Sequence, residues 1–220
     1  MRFLTGYHHG SGQEQEHDLD YEDAETVPAS GIRVSFNTGA PPSPYDLERA
    51  GRAPFVDHDH SHIYVGSAVF MHPSSSTSSS PASSEDEEEL DGAAHDKNIE
   101  SVHPCRVAPH LNPPCLVPFG GGVIEHFGRY DVLVVDGGKM VWVQSSYGRI
   151  PKGYTPVDGG YEITGQKLYH AVANVGGIFV PGKTGPHLAG CNIAMGDREV
   201  ILNEGYQILC WRDNFIEGLY

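Results

Sequence analysis

Pro181-Gly182-Lys183-Thr184-Gly185-Pro186-His187-Leu188 repeats an earlier stretch, Pro104-Cys105-Arg106-Val107-Ala108-Pro109-His110-Leu111. Four of the eight positions are identical, and Lys183 falls on Arg106. Further matches follow in the same order. Cys115 falls on Cys191, Gly120 on Gly196, Tyr130 on Tyr206 and Leu133 on Leu209, all at an offset of 76. Upstream, Ile63-Tyr64 falls on Leu168-Tyr169 at an offset of 105, the difference being taken up by Ser- and acid-rich filler. A period this long exceeds a solenoid unit and predicts two similar half-domains packed as a pair.

The 220 residues carry a formal charge of −15. Most of it sits in two segments, residues 1–30 and 71–98, each with seven acids and one base. The first reads as a disordered acidic tail. The second, with its Ser74–Ser80 tract and the run Glu85-Asp86-Glu87-Glu88-Glu89, reads as a disordered insertion at a hairpin tip. Ser83 and Ser84 stand three residues before Asp86 and Glu87, a pattern expected to attract an acid-directed kinase. The expected organisation is a tail over 1–30, a degenerate first repeat over 31–135 and a second repeat over 136–220. No basic stripe exists to neutralise phosphates, so nucleic acid is not an expected partner. No run of about 18 apolar residues predicts a membrane span, and no export signal is evident. The four cysteines show no CxxC spacing and are expected as free thiols in a cytoplasmic protein, with Cys105–Cys115 the one sequence-local pair able to bridge.

The remainder reads as short strands and turns, an all-β class. Three hairpins are expected: Tyr130–Val135 with Met140–Val143 around Asp136-Gly137-Gly138-Lys139; Leu168–Val175 with Ile178–Val180 around Gly176-Gly177; and Glu199–Leu202 with Tyr206–Trp211 around Asn203-Glu204-Gly205. The one expected helix is Pro44–Ala50, capped by Ser43 with Pro44 at its first position.

Gly177 to Thr184 spells GxxxxGK[ST], but Gly185-Pro186 follows where a phosphate-binding loop needs a helix, so nucleotide binding is rejected. In Asp57-His58-Asp59-His60-Ser61-His62 an extended chain would put His58, His60 and His62 on one face, a zinc or copper pattern; a polar turn is the stronger reading. No hydrolase elbow or HExxH is present, so an enzyme is not expected, and no cofactor is implied.

Superposing the repeats yields a different constellation. Glu162 stands seven residues before Tyr169, and Asp57 seven before Tyr64. Each copy thus pairs an acid with a base, Glu162 with Lys183 and Asp57 with Arg106. A carboxylate accepts from neighbouring hydroxyls and a cation donates to oxygens, so such a pair complements a polyol. Spacing alone favours the plainer reading, a surface ion pair worth about 0–1 kcal/mol.

The order Trp142, Gly148-Arg149-Ile150-Pro151, Gly159-Gly160, Leu168-Tyr169, Pro181-Gly182-Lys183, Gly196-Asp197-Arg198-Glu199 and Tyr206-Gln207-Ile208-Leu209 resembles one full DM-nine repeat. Residues 141–211 carry it well and 54–134 as a degenerate first copy. The resemblance implies two repeats interlocked into one all-β unit with pseudo-twofold symmetry. It implies a mannose-type lectin in which Glu162 and Lys183, and more loosely Asp57 and Arg106, contact sugar. The chain departs from the family pattern in having Glu at 162 where Asp is usual, Pro104-Cys105-Arg106 in place of PGK, and Val172 and Ser67 where Arg is common. The first copy has no clear Trp, with Phe36 the expected substitute. The expectation is a non-enzymatic carbohydrate-binding protein whose partner is a mannose-type glycan, with a homodimer left open. The alternative is an interaction module acting through its acidic, phosphorylatable loop.

Overall fold

The computed structural model describes residues 29–36, 41–72 and 98–212. The acidic N-terminal segment before Ala29 and most of the Ser- and acid-rich insertion, with Ser83 and Ser84, lie outside the described residues. In chain order the elements are β1 (Arg33–Phe36), α1 (Pro44–Ala50), β2 (Phe55–Val56), β3 (His62–Met71), β4 (Ile99–Val107), β5 (Cys115–Phe119), β6 (Gly122–His126) and β7 (Tyr130–Leu133). Then come β8 (Met140–Ser145), β9 (Thr155–Pro156), β10 (Asp158–Tyr161), β11 (Lys167–Val175), β12 (Ile178–Thr184), β13 (Cys191–Met195), β14 (Arg198–Leu202) and β15 (Tyr206–Trp211). The class is all-β with one short helix. That helix is capped as its sequence requires: Ser43 Oγ accepts from the Asp46 amide and the Asp46 carboxylate accepts from the Ser43 amide.

The strands follow the order β1-β7-β3-β4-β5-β6-β14-β13-β12-β11-β15-β8. Read from either end, the path visits equivalent strands of the two repeats. The registers agree from Tyr64 with Val107 to Phe70 with Ser101, matched by Tyr169 with Thr184 to Val175 with Ile178: Val65 faces Arg106 between β3 and β4, and its equivalent His170 faces Lys183 between β11 and β12. At the centre of the path Gly122 of β6 pairs with Arg198 of β14, two positions that are themselves one repeat apart. A pseudo-twofold axis therefore passes there, and Arg106 and Lys183 are equivalent by it. The repeated residues serve repeated purposes. Tyr130 and Tyr206, Leu133 and Leu209, and Cys115 and Cys191 are all buried. Gly120 and Gly196 take φ of 62° and 59° at the tips of the β5–β6 and β13–β14 hairpins.

β10 closes the structure. It pairs β11 on one side and meets β4 through Tyr161 and Val102 on the other. The ring β4-β5-β6-β14-β13-β12-β11-β10 is an eight-stranded antiparallel barrel, which pairs edges that an open sheet would leave bare. The Gly159-Gly160 pair makes the closure feasible. Gly160 has φ of 143°, and a Cβ there would sit 2.1 Å from the Val102 carbonyl oxygen; at Gly159 it would meet Pro104 Cγ at 2.6 Å. The equivalent strand in the first repeat, β2, pairs β3, and its Phe55 reaches β12 by stacking on Phe179 at 5.6 Å.

Each half has its own apolar cluster, one around Tyr64, Cys105, Cys115 and Tyr130 under α1, the other around Ala173, Cys191, Ile193 and Tyr206. A third, with Val65, Leu133, Met140, Leu209 and Trp211, joins them. All four cysteines are buried free thiols; Cys105 and Cys115 share a thiol–thiol hydrogen bond, sulfurs 3.2 Å apart, and no disulfide.

Two of the three expected hairpins are corrected. β11 and β12 do pair across Gly176-Gly177. The turn over Asp136–Lys139 forms, with Lys139 and Met140 amides donating to the Asp136 carbonyl, but β7 pairs β1 and β3 while β8 pairs β15. That segment links the halves without being a hairpin, since each flanking strand completes a different repeat. Likewise β14 pairs β13 and β6, whereas β15 pairs β8, β9 and β11. Alternation and turn residues located these strands; their partners were set by distant edges.

Gly160→Ala is expected to destabilise the protein by about 3 kcal/mol, since the new methyl meets backbone at the barrel seam. Gly120→Ala, with φ of 62° but nothing within 4 Å of its Cβ, should cost only about 1 kcal/mol. Urea unfolding midpoints of the two variants check the difference; equal losses would show that Gly160 serves conformation alone.

Candidate functional site

The two acids singled out by the repeat sit in two turns of the same kind. The Glu162 amide donates to the Gln166 carbonyl at 2.9 Å, and Gly165 N donates back to the Glu162 carbonyl at 2.7 Å. The Asp57 amide donates to Ser61 at 2.8 Å, and His60 N to Asp57 at 3.0 Å. The residue needing positive φ is Gly165 (80°) in one and His60 (66°) in the other. Each acid is then delivered to its own repeat's cation. Lys183 Nζ lies 3.5 Å from Glu162 Oε1, and Arg106 Nη2 contacts Asp57 Oδ2.

These are not exposed surface pairs, as the spacing argument supposed. The Lys183 side chain is 3% exposed and Glu162 17%. The ammonium has two further partners: His103 Nδ1 at 3.1 Å and the face of Phe119, whose centroid is 5.1 Å away. Both come from the first repeat, because β4 and β5 enclose the barrel interior opposite β12. His103 Nε2 in turn lies 3.1 Å from Ser101 Oγ and 3.7 Å from Glu162 Oε2. His187 Nε2 approaches Glu162 Oε1 at 3.8 Å. Beside Glu162 opens a cavity of about 230 Å³, lined by Phe70, Glu100, Ser101, His103, Phe119 and Ile124 of the first repeat with Glu162 and Ile163 of the second. Lys183 does not line it; it holds Glu162 from within the barrel.

Burial lowers the Lys183 pKa from its ordinary value, and Glu162 opposes the shift. His103 is brought down to about 4, first by burial and then by the Lys183 charge, with Glu162 again opposing. At neutral pH this imidazole is uncharged. Nδ1 accepts from the ammonium, so the proton resides on Nε2, which donates towards Ser101.

The first-repeat pair, Asp57 with Arg106, keeps the geometry with different walls. The registers place Val175, Ile178, Val180 and Met195 where Phe70, Ser101, His103 and Phe119 stand around Glu162. His58, His60 and His62 do not share a face: the turn with positive φ at His60 interrupts the extended chain, and His62 begins β3, edge-on to Tyr64. Among the described residues no group of three His, Cys, Asp or Glu side chains is placed to hold a metal ion. Lys183 and Thr184 end a strand, so the GxxxxGK[ST] match has no helix behind it. Nor does Phe36 replace Trp142. Trp142 faces Leu209, and the residue facing Leu133 is Arg33. Phe36 instead stacks on Tyr130 at 5.1 Å.

Sequence reasoning missed His103, Phe70, Phe119, Ser101 and Glu100. Their one signal was the alternation Ser101, His103, Cys105 entering the Pro104 window, masked by its position just after the insertion. Among the described residues no helix is long and apolar enough to cross a membrane. The family model of the DM9 repeat matches residues 57–202. No curated protein matches the chain.

The folded pKa of His103 lies below its unfolded value, so between about pH 6.5 and 4 the unfolded chain binds the extra proton and stability falls as pH falls. His126 and His170, also lowered by burial, act in the same direction. The contribution of His103 is expected to be roughly 3 kcal/mol, fully present above pH 6.5. Urea midpoints at pH 7.5 and 4.5 should differ accordingly, and His103→Gln should flatten the dependence; an unchanged slope in that variant would assign the effect elsewhere.

Proposed function

Because the chain belongs to the DM9 repeat family, a binding-domain family associated with carbohydrate and mannose binding, we propose that it is a non-enzymatic, lectin-like protein that holds a mannose-type glycan at the Glu162 cavity. The observation that carries this reading is the Glu162 carboxylate at the wall of a cavity with aromatic sides, held from behind by the buried Lys183. Glu162 accepts from vicinal hydroxyls. Lys183 fixes the carboxylate in place. Phe70 and Phe119 offer ring faces to the C–H side of a pyranose, and His103 with Ser101 adds a polar edge. The volume is below the roughly 300–1,000 Å³ of drug-sized pockets, which suits a single ring. In this reading Glu162 is the ligand-contacting acid and Lys183 its positioning partner. Asp57 and Arg106 form a second, weaker site, because its walls are apolar. The cytoplasmic location belongs to the same proposal. The interaction-module alternative rests on residues outside the described set.

Binding to an immobilised glycan panel tests the proposal. Glu162→Gln removes an anionic acceptor and is expected to weaken sugar binding ten- to hundredfold. Lys183→Ala removes the ammonium that holds the Glu162 carboxylate and breaks a buried ion pair, so it should cost about 3 kcal/mol of stability as well as affinity. Arg106→Ala should affect binding less. If the parent protein binds no glycan, the lectin reading is wrong; if Glu162→Gln binds as the parent does, the site is wrong.

A further inference from the structure

We infer that the sugar preferred by this cavity carries a free amine, an amino sugar rather than a neutral hexose. The inference rests on the carbohydrate reading above and starts from an irregularity of the backbone. The β3–β4 ladder runs unbroken from Tyr64 with Val107 to Phe70 with Ser101, then passes to Met71 with Ile99. Glu100 is the extra residue of a β-bulge. Bulges re-aim side chains and recur beside binding sites. In a regular strand Glu100 and Ser101 would face opposite sides; here both line the cavity. The second repeat has no such bulge. Its β11–β12 ladder is regular from Tyr169 with Thr184 to Val175 with Ile178, and Gly177 stands at the equivalent position.

The bulge unbalances the charge of the cavity. Lys183 is matched by Glu162, with His187 3.8 Å from the same carboxylate. His103 and His126, the latter packed on Phe70 at 4.8 Å, are held neutral near pH 7 by burial. Glu199, whose charge also acts on Lys183, accepts from Asn192 Nδ2 at 2.7 Å and from the Gly121 amide at 2.7 Å. Glu100 has no ion-pair partner among the described residues. A carboxylate without a counter-charge, next to aromatic ring faces, is the combination that receives an ammonium group. Phe119 already presents one face to the Lys183 ammonium and remains 47% exposed, leaving ring surface for a ligand. N-acetylation would turn the ammonium into a neutral amide with an added methyl, losing the charge and straining a cavity of about 230 Å³.

Calorimetric titration of the full chain with β1,4-linked glucosamine trimer, its fully N-acetylated counterpart and a mannose trimer tests this. The free-amine trimer is expected to bind at least about tenfold more tightly than the acetylated one in low salt, the difference shrinking as salt rises. Glu100→Gln, at a half-buried position, should fold with an unchanged melting curve and narrow that ratio towards unity. The inference is overturned if the acetylated or mannose trimer binds as well as the free amine, or if the ratio survives Glu100→Gln. Putrescine binding as tightly as the glucosamine trimer would make this an amine site and overturn the sugar part. Absence of binding by every oligosaccharide would instead remove the carbohydrate reading on which the inference stands.

Discussion

Neither repeat can pair the edges of its own sheet. β6 finds its outer partner only in β14, and β4 is closed by β10 of the other repeat. Bare edges expose rows of unpaired amides and carbonyls, and closing them into one barrel removes most of that liability. The cost is close approach of backbones at the seam, which the Gly159-Gly160 pair tolerates and a Cβ would not. Everything distinctive about the site follows from this exchange. The strand that closes the barrel ends at Tyr161, so Glu162 emerges against β4 of the first repeat rather than against its own sheet. The cavity is therefore composite, its acid from one repeat and most of its walls from the other.

Inside that barrel, Lys183 is an expensive residue. Removing an ammonium from water costs several kcal/mol, and one carboxylate at 3.5 Å does not recover it alone. The remaining donors need partners, and His103 Nδ1 and the Phe119 face supply them. The arrangement holds only while His103 is neutral, since an imidazolium would place a second cation 3.1 Å from the first. Burial and Lys183 enforce that neutrality together. One buried charge thus dictates the protonation state of its neighbour, the tautomer of the ring and the orientation of the carboxylate facing the cavity. Such a pair is poor as a source of stability and good as a means of holding one geometry.

The same physics explains what was legible in the chain. The repeat was visible because its conserved spacing reflects register: Cys115 and Cys191, or Tyr130 and Tyr206, occupy equivalent buried positions, and a slip of one residue would turn them to the other face. Helix α1 was visible because capping is local. The acid–base pairs were visible because the turn bearing the acid and the strand bearing the cation recur in each copy. What failed was non-local. Two apparent hairpins dissolved because adjacent strands belong to different repeats. His103 and Phe119 were hidden because their relation to Lys183 crosses the barrel and has no sequence spacing. Glu100 reaches the cavity through a bulge, which period-2 reasoning places on the wrong face.

The pseudo-symmetry of the scaffold makes its chemical asymmetry informative. At one junction Trp142 packs on Phe55, which stacks on Phe179. At the other, Arg33 takes the Trp142 position. Its guanidinium donates to Ser30 O at 3.0 Å, Ser67 Oγ at 2.8 Å and Asp158 O at 2.6 Å, and lies 3.0 Å from His170 Nε2. Gly160 holds the position of Phe55 there, so backbone rather than an aromatic ring fills the seam. The aromatic junction leaves β2 paired to β3 on one side and docked by the Phe55 side chain on the other. The polar junction lets β10 bond to both neighbours and presses Glu162 into the barrel wall. The half that carries the polar seam is thus the half whose acid is clamped between a buried lysine and a neutral histidine. The other acid, in the turn after a strand that is paired on one side only among the described residues, meets an arginine among apolar walls. The two sites differ in their seams and in their walls, although the turn that carries the acid is built the same way in both.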